Sequence, residues 1–372
     1  MSQLNCLPQE AILWGHDILP TAGASLDQYG VRHPLTFTVE RLRDFHAQNL
    51  QPHVKGGLGI VTDLPAHVPD FGVRRALDIC MRAGADSIIA LGGGSVIDAA
   101  KAVSYLHHQE TGRYLAIAAF PTTLSGSEFS HYFGITETTE PQAFKRSYAV
   151  RETVPRVVAL DPKLLLNTPR ELLLSSAIKG IDHAIEGMRQ VDVDHPHAML
   201  AASGVERFFG VLEKWPGEID TQQALAAGHV TTEDLLQLQL AAWQCYFFPA
   251  SVIYGLSHRI GHILGGTFGL AHSVTSCVTL APVLLACGAR YGAKLEVFCR
   301  GRAPGYAAEL LAARIANAVK QLDLPTRLRM LGLDRSQLPH IAALLRQHYP
   351  AEVCDLGDGN DAALDSLLVS LW

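Results

Sequence analysis

Three of the 17 histidines crowd into one short stretch, SHRIGHILGGTFGLAH, as His258, His262 and His272. His258 and His262 are four residues apart, so on a helix they share a face. The pair Gly265-Gly266 is expected to end that helix, and the turn after it brings His272, at the head of the next apolar segment, back over the first two. Clustered imidazoles can ligate a metal or pass a proton near neutral pH. On its own an i, i+4 histidine pair serves equally well as satisfied polarity in a core, so the chemistry has to be argued from more than this stretch.

Two further stretches could hold a charged ligand. Gly92-Gly93-Gly94-Ser95 stands between an apolar strand pattern, Ser87 to Leu91, and a helical pattern carrying Val96, Ala99, Ala100 and Val103. A strand, a glycine turn and a helix start form a phosphate cradle: residues without side chains let backbone N–H groups approach the anion, and the helix N-terminus is positively polarised. The spacing is not G-x-G-x-x-G, and a tight turn that uses glycine for steric reasons alone is the competing explanation. The second stretch, Pro121-Thr122-Thr123-Leu124-Ser125-Gly126-Ser127-Glu128, follows the apolar run Leu115 to Phe120. Its hydroxyls could bond a ribose or phosphate at the carboxyl edge of a sheet, or could simply cap a helix.

The elements around these stretches form a rhythm. Ala11 to Trp14 and Leu35 to Val39 read as strands, the latter followed by the charged segment Glu40 to His46, and a helix is expected from Pro69-Asp70 with Val73, Ala76, Leu77, Cys80 and Met81 at helical spacing. Alternating strands and helices predict a mostly parallel sheet covered on both faces. From about Asp161 the pattern changes to long helices: Leu164 to Gly187, Val205 to Trp215, Leu235 to Phe248 and Leu311 to Leu322. The expected organisation is an α/β dinucleotide-binding domain over 1–161 and an all-α catalytic or substrate domain over 162–372.

Composition narrows the function classes. The chain has 372 residues, 48% of them hydrophobic and 18% charged, enough for two soluble domains. A net charge of -6 gives no basic footprint, which argues against nucleic acid and anionic membrane as partners. No apolar run approaches the roughly 20 residues of a membrane helix, and the start MSQLNCLPQE lacks the basic-then-apolar order of a signal peptide, so a cytoplasmic location is expected. The seven cysteines are scattered without a C-x-x-C pair and read as reduced thiols.

Taken together and in order, GGGSVIDAAKA, PTTLSGSE, IKGIDHAIEG and the histidine stretch resemble the iron-containing (group III) alcohol dehydrogenase family, over nearly the whole chain and down to the late LDLPTRLRMLGL. The wording LGGTFGLAH is most similar to the maleylacetate reductase branch, while Asp98 is more like the alcohol dehydrogenases proper. The resemblance implies a dehydroquinate synthase-like fold in which an N-terminal nucleotide-binding domain is followed by a helical domain that carries one divalent metal and the substrate, most often in a homodimer. Carried over motif by motif, it implies that Gly92, Gly93, Gly94 and Ser95 hold the pyrophosphate of NAD(P)H, that Asp98 sits near the nicotinamide end, and that Thr122, Thr123, Ser125 and Lys145 contact the cofactor. The choice between NAD and NADP stays open; Glu40, after the strand Leu35 to Val39, tilts it towards NAD by charge.

The metal site is where the chain departs from the pattern. The family's metal ligands are a D-x-x-x-H pair on one helix, the first histidine of H-x-x-x-H and a later histidine; the matching positions here are Lys179, His183, His258 and His272. Asp182 points about 100° away from His183 around a helix and is a poor substitute ligand. An ammonium about 4 Å from a divalent cation repels it by roughly 8 kcal/mol at an effective dielectric of 20. The segment LLLSSAIKGIDHAIEG carries too little charge for a solvated helix, so Lys179 is expected inside, and iron or zinc is expected to bind weakly or not at all.

Hydride transfer to a carbonyl needs something positive where the alkoxide develops. Lys179, with a protonated histidine nearby, is the expected replacement for the metal, with His262 as proton relay and with a small carbonyl compound, preferably carrying a carboxylate, as substrate. Three alternatives stay open on the sequence: a metal-dependent alcohol dehydrogenase, a non-redox enzyme using elimination or a Schiff base on Lys179, and a nucleotide-binding protein without turnover.

Overall fold

Strands buried on both faces cannot alternate polar and apolar residues, and Ser87-Ile-Ile-Ala-Leu-Gly92 does not: every residue in it is buried. The computed structural model describes residues 4–65, 68–138, 144–299 and 305–372, with 144 and 145 described in their backbone only. The chain divides into two units, one running to Thr168 and one from Pro169 to Trp372.

The first unit is built on a parallel sheet. Its strands are β1 (Ala11–Trp14), β2 (Pro34–Phe37), β3 (Gly59–Val61), β4 (Ser87–Gly92), β5 (Ala116–Pro121) and β8 (Val157–Leu160), in the order β1-β8-β5-β4-β2-β3, with all pairings parallel. β6 (Tyr132–Glu137) and β7 (Phe144–Ala149) form a separate antiparallel pair. Alternate residues of the sheet feed two cores. Ile88 and Ala90 pack with Val73, Ala76 and Leu77 of the helix Asp70–Ala83 and with Val96 and Ala100 of the helix Gly94–Thr111. Ile89, Leu91, Ala118 and Phe120 face Leu19, Leu26, Leu42 and Leu50 on the other side. This period of two is what lets helices cover both faces.

Several expected boundaries shift. The strand read as Leu35 to Val39 is Pro34–Phe37, and Val39 only bridges Asp63 before a 3₁₀ turn from Glu40. The helical pattern from Leu164 is interrupted: Pro162–Leu165 is a 3₁₀ turn and the long helix starts at Arg170, because Pro169 restricts the residue before it and supplies no N–H. The stretches Val205 to Trp215, Leu235 to Phe248 and Leu311 to Leu322 correspond to the helices Pro196–Leu212, Thr232–Cys245 and Ala307–Gln321.

The second unit is helical throughout its described residues. The helix Arg170–Glu186 packs against Pro196–Leu212, Thr232–Cys245, Leu256–Phe268 and His272–Ala286. It has no solvated face after Leu172: every residue from Leu173 to Glu186 is buried. Among the described residues no single helix is long and apolar enough to cross a membrane.

Candidate active site

The glycine turn and the hydroxyl loop are neighbours because β4 and β5 are. Gly92 pairs with Pro121 at the carboxyl end of the two strands, and Thr122 N–H donates to the Gly92 carbonyl at 3.0 Å. The backbones then pack too tightly for side chains. A Cβ on Gly92 would stand 2.7 Å from Val96 Cγ2, one on Gly93 2.8 Å from Thr123 Cγ2, and one on Gly94 3.0 Å from Ser125 Oγ. The result is a side-chain-free cradle at the start of the helix Gly94–Thr111, with Thr123 and Ser125 hydroxyls 3.2 Å apart beside it. These residues fit a pyrophosphate. Thr122 and Thr123 are buried, Ser125 is half-buried and Ser95 is exposed. Lys145 falls in β7, but its side chain lies outside the described residues. Glu40 is taken up by Arg43, which donates to it at 2.6 and 2.9 Å and holds its carboxyl down at about 2.

Beneath the cradle lies a group of charged side chains in which the sequence reading gave a role to Asp98 but none to Lys101 or Glu128. Asp98 accepts from Ser127 Oγ at 2.5 Å, and the fully buried Lys101 donates to the Ser127 carbonyl. Burial lowers Lys101 to about 8 and raises Glu128, whose buried Oε2 has no hydrogen-bond partner among the described residues, to about 7. Burial, then the Lys101 charge, lowers His131 to about 4.

In the second unit the histidine stretch folds as expected at its ends and differently in the middle. Gly265-Gly266 does not stop the helix, which continues over Leu256–Phe268 and ends at Gly269 in the left-handed conformation. The tight approach to the next helix lies one turn earlier, where a Cβ on Gly261 would come 2.9 Å from Thr275 Oγ1 and 3.1 Å from His272 Cε1, whereas one on Gly265 would meet the Leu270 carbonyl at 3.5 Å. His272 opens the next helix, His272–Ala286, and ring nitrogens of His258, His262 and His272 all lie within 4.8 Å of one another. His183 stands beside this trio: its ring centroid is 5.3 Å from that of His258, and it stacks on Tyr246 at 4.0 Å.

Lys179 is inside this site, only 2% exposed. Its Nζ donates to Asp182 Oδ2 at 2.7 Å and lies 3.0 Å from His258 Nδ1. Asp182, fully buried, also accepts from Ser276 Oγ at 2.7 Å. Asp182 is thus the counter-ion of the lysine, a role that spacing from His183 alone did not reveal; Lys179 and Asp182 are an i, i+3 pair. Glu186, one turn on, accepts from the His258 backbone N–H at 3.2 Å and from Tyr291 OH at 2.6 Å. Burial and then the neighbouring Asp182 raise Glu186 to about 8.

The hydrogen bonds fix the imidazoles. An ammonium has donors and no acceptor, so His258 Nδ1 must accept from Lys179 and the ring proton must sit on Nε2. His272 Nδ1 lies 3.2 Å from the Gly261 carbonyl, which can only accept, so His272 carries a proton on Nδ1. Burial, then the Lys179 charge, holds both His183 and His258 well below the usual histidine range. The expectation of a protonated histidine is therefore corrected at these two positions, where burial favours the neutral ring.

The three gathered imidazoles have the spacing of metal ligands, but the hydrogen bond from Lys179 bears on what His258 could give to a metal. A catalytic zinc takes three protein lone pairs. His258 offers none, one nitrogen being engaged by Lys179 and the other bearing a proton, and the ammonium adds its repulsion.

Comparison with known proteins places the chain. Residues 8–162 match the family described as iron-containing alcohol dehydrogenase. A maleylacetate reductase of Cupriavidus pinatubonensis is 32% identical over 260 residues, 70% of this chain and 67% of that protein. The chain belongs to the iron-containing alcohol dehydrogenase family. A maleylacetate reductase of a Pseudomonas species is 28% identical over 349 residues, covering 91% of this chain and 90% of its own. The fold of this family member is also that of the crystal structure of maleylacetate reductase from Agrobacterium tumefaciens, with a TM-score of 0.79 over 100% of this chain and 98% of that one at 23% identity. As a member of the iron-containing alcohol dehydrogenase family it is an NAD(P)-dependent oxidoreductase.

Proposed function

We propose that the protein is an NAD(P)H-dependent reductase of a small oxo acid, maleylacetate or a compound like it, and that it works without a catalytic metal. The observation that carries the second half is the hydrogen bond from Lys179 Nζ to His258 Nδ1 at 3.0 Å, which makes His258 a donor through Nε2–H. The substrate class rests on the maleylacetate reductase relatives at 28–32% identity.

When bound at Gly92–Ser95 and Thr122–Ser125, the dihydronicotinamide cofactor supplies a hydride. The chain's own residues deal with the oxygen. His258 Nε2–H points its proton at the substrate carbonyl and stabilises negative charge as it develops. As the new C–H bond forms, the π pair of the C=O moves onto oxygen. That oxygen takes the Nε2 proton, while a proton of Lys179 passes to Nδ1, so the ring is neutral before and after. Asp182 holds the ammonium in line for this transfer. Lys179 is left as an amine and recovers its proton from solvent. His262 and His272, with ring centroids 4.5 and 5.6 Å from that of His258, border the path by which it returns.

A metal-dependent reading draws on one observation, the gathering of three imidazoles within 4.8 Å. Metal analysis of the purified protein, with maleylacetate turnover by NADH and NADPH before and after a strong chelator, separates the two. Substoichiometric metal with unaffected turnover is expected, together with a loss of roughly 10²- to 10⁴-fold in Lys179→Met. Stoichiometric iron or zinc whose removal abolishes turnover would overturn the metal-free reading.

A further inference from the structure

We propose that Lys101 is a positioning residue for cofactor binding: buried under the cradle, its ammonium fixes the hydroxyl loop against the glycine turn. The inference rests on the reading of Gly92–Ser95 and Thr122–Ser125 as the cofactor site.

Lys101 has no exposed surface, and its aliphatic stem ends in three donors with three acceptors. Nζ donates to the Ser127 carbonyl at 2.5 Å, to Ser127 Oγ at 3.0 Å and to the Tyr132 carbonyl at 3.0 Å. Ser127 Oγ, having accepted from the lysine, donates onward to Asp98 Oδ1 at 2.5 Å, and Asp98 lies 3.8 Å from Nζ as its counter-charge. Both Asp98 and Lys101 belong to the helix that begins at Gly94, whereas Ser127 closes the loop that begins at Thr122. The clamp therefore ties the helix whose N-terminus forms one wall of the cradle to the loop that forms the other.

The separation it sets is the one a phosphate would sense. Gly93 and Gly94 face Thr123 and Ser125 with no room for a methyl group, so a loop displaced by even a fraction of an ångström changes which hydroxyls reach a ligand there. Burial of an ion pair is weak evidence of stabilisation, because desolvation offsets most of the attraction. Holding geometry is the better account of a lysine whose three bonds all go to one loop and the strand after it. The apolar cores on the two faces of the sheet do not include Lys101 and persist without it.

The test is NADH affinity, read by fluorescence titration of the full chain, with steady-state kinetics alongside. Lys101→Met removes the three bonds and keeps the length of the side chain. It is expected to weaken NADH binding by roughly tenfold or more, while kcat at saturating NADH and KM for the oxo acid hold. Ser127→Ala, which keeps the lysine and deletes one link, is expected to show a smaller loss of the same kind. If the wild-type chain binds neither NADH nor NADPH, the cofactor-site reading fails. If it binds and a folded Lys101→Met binds within about twofold of it, the positioning role is overturned and the reading stands. Should Lys101→Met fail to fold, an unchanged affinity in Ser127→Ala overturns the proposal by itself.

Discussion

At the scale of single residues, the site is governed by protons. Glu186 is buried and neutral at pH 7, held at about 8 by burial and by Asp182, against an ordinary value of 4.5. Its folded pKa is raised above its unfolded one, so the stability it contributes is complete below about 4.5 and is lost progressively as pH rises to about 8. Unfolding by urea between pH 5 and 8 should therefore show a falling free energy. In Glu186→Gln, which removes the titrating carboxyl, that slope should flatten by a few kcal/mol across the window. An unchanged slope would show that Glu186 is ionised at pH 7. This residue, like Lys101 and the pairing of Lys179 with Asp182, was not legible in the sequence. Short-range spacing shows which residues share a helix face, but not which rotamer a lysine chooses or how deeply a carboxyl is desolvated by helices far along the chain. The glycine cradle was legible because its cause is local: a strand, a turn that forbids side chains and a helix start.

At the scale of elements, the helix Arg170–Glu186 is set by close approach. A Cβ on Gly180, the residue after Lys179, would stand 2.6 Å from Phe208 Cε2 of the helix Pro196–Leu212. Gly180→Ala should cost about 1–3 kcal/mol and move Lys179 off His258, lowering both melting temperature and turnover. Gly210, in that same neighbouring helix, has nothing within 4 Å of an added Cβ. Gly210→Ala should stabilise by about 0.5–1 kcal/mol and leave turnover alone, as calorimetry and kinetics on the pair would show. The glycine pair Gly265-Gly266 carries the opposite lesson. Read locally it is a stop signal, yet the chain stays helical through it and ends only at Gly269, where the backbone turns left-handed. Element types and order were legible from periodicity. The short strand Val157–Leu160 was not, because its partners Ala11–Trp14 and Ala116–Pro121 lie far away in sequence.

At the scale of the whole molecule, the glycine cradle belongs to the sheet unit and the lysine and histidines to the helical one. NADH at a hundredfold its Kd should stabilise the chain by about 2.7 kcal/mol, whereas a chelator should leave the melting curve where it is; a chelator-induced drop in melting temperature would count against the metal-free reading.

The ion pair of Lys179 with Asp182 has a consequence for anyone who would redesign the enzyme. Each member is tolerable in its dry surroundings only while the other is present, so either substitution made singly strands a charge at a cost of about 3–5 kcal/mol. Positions 179 and 182 consequently form one unit of variation, and a library that changes them one at a time will sample dead ends on both sides of a working pair.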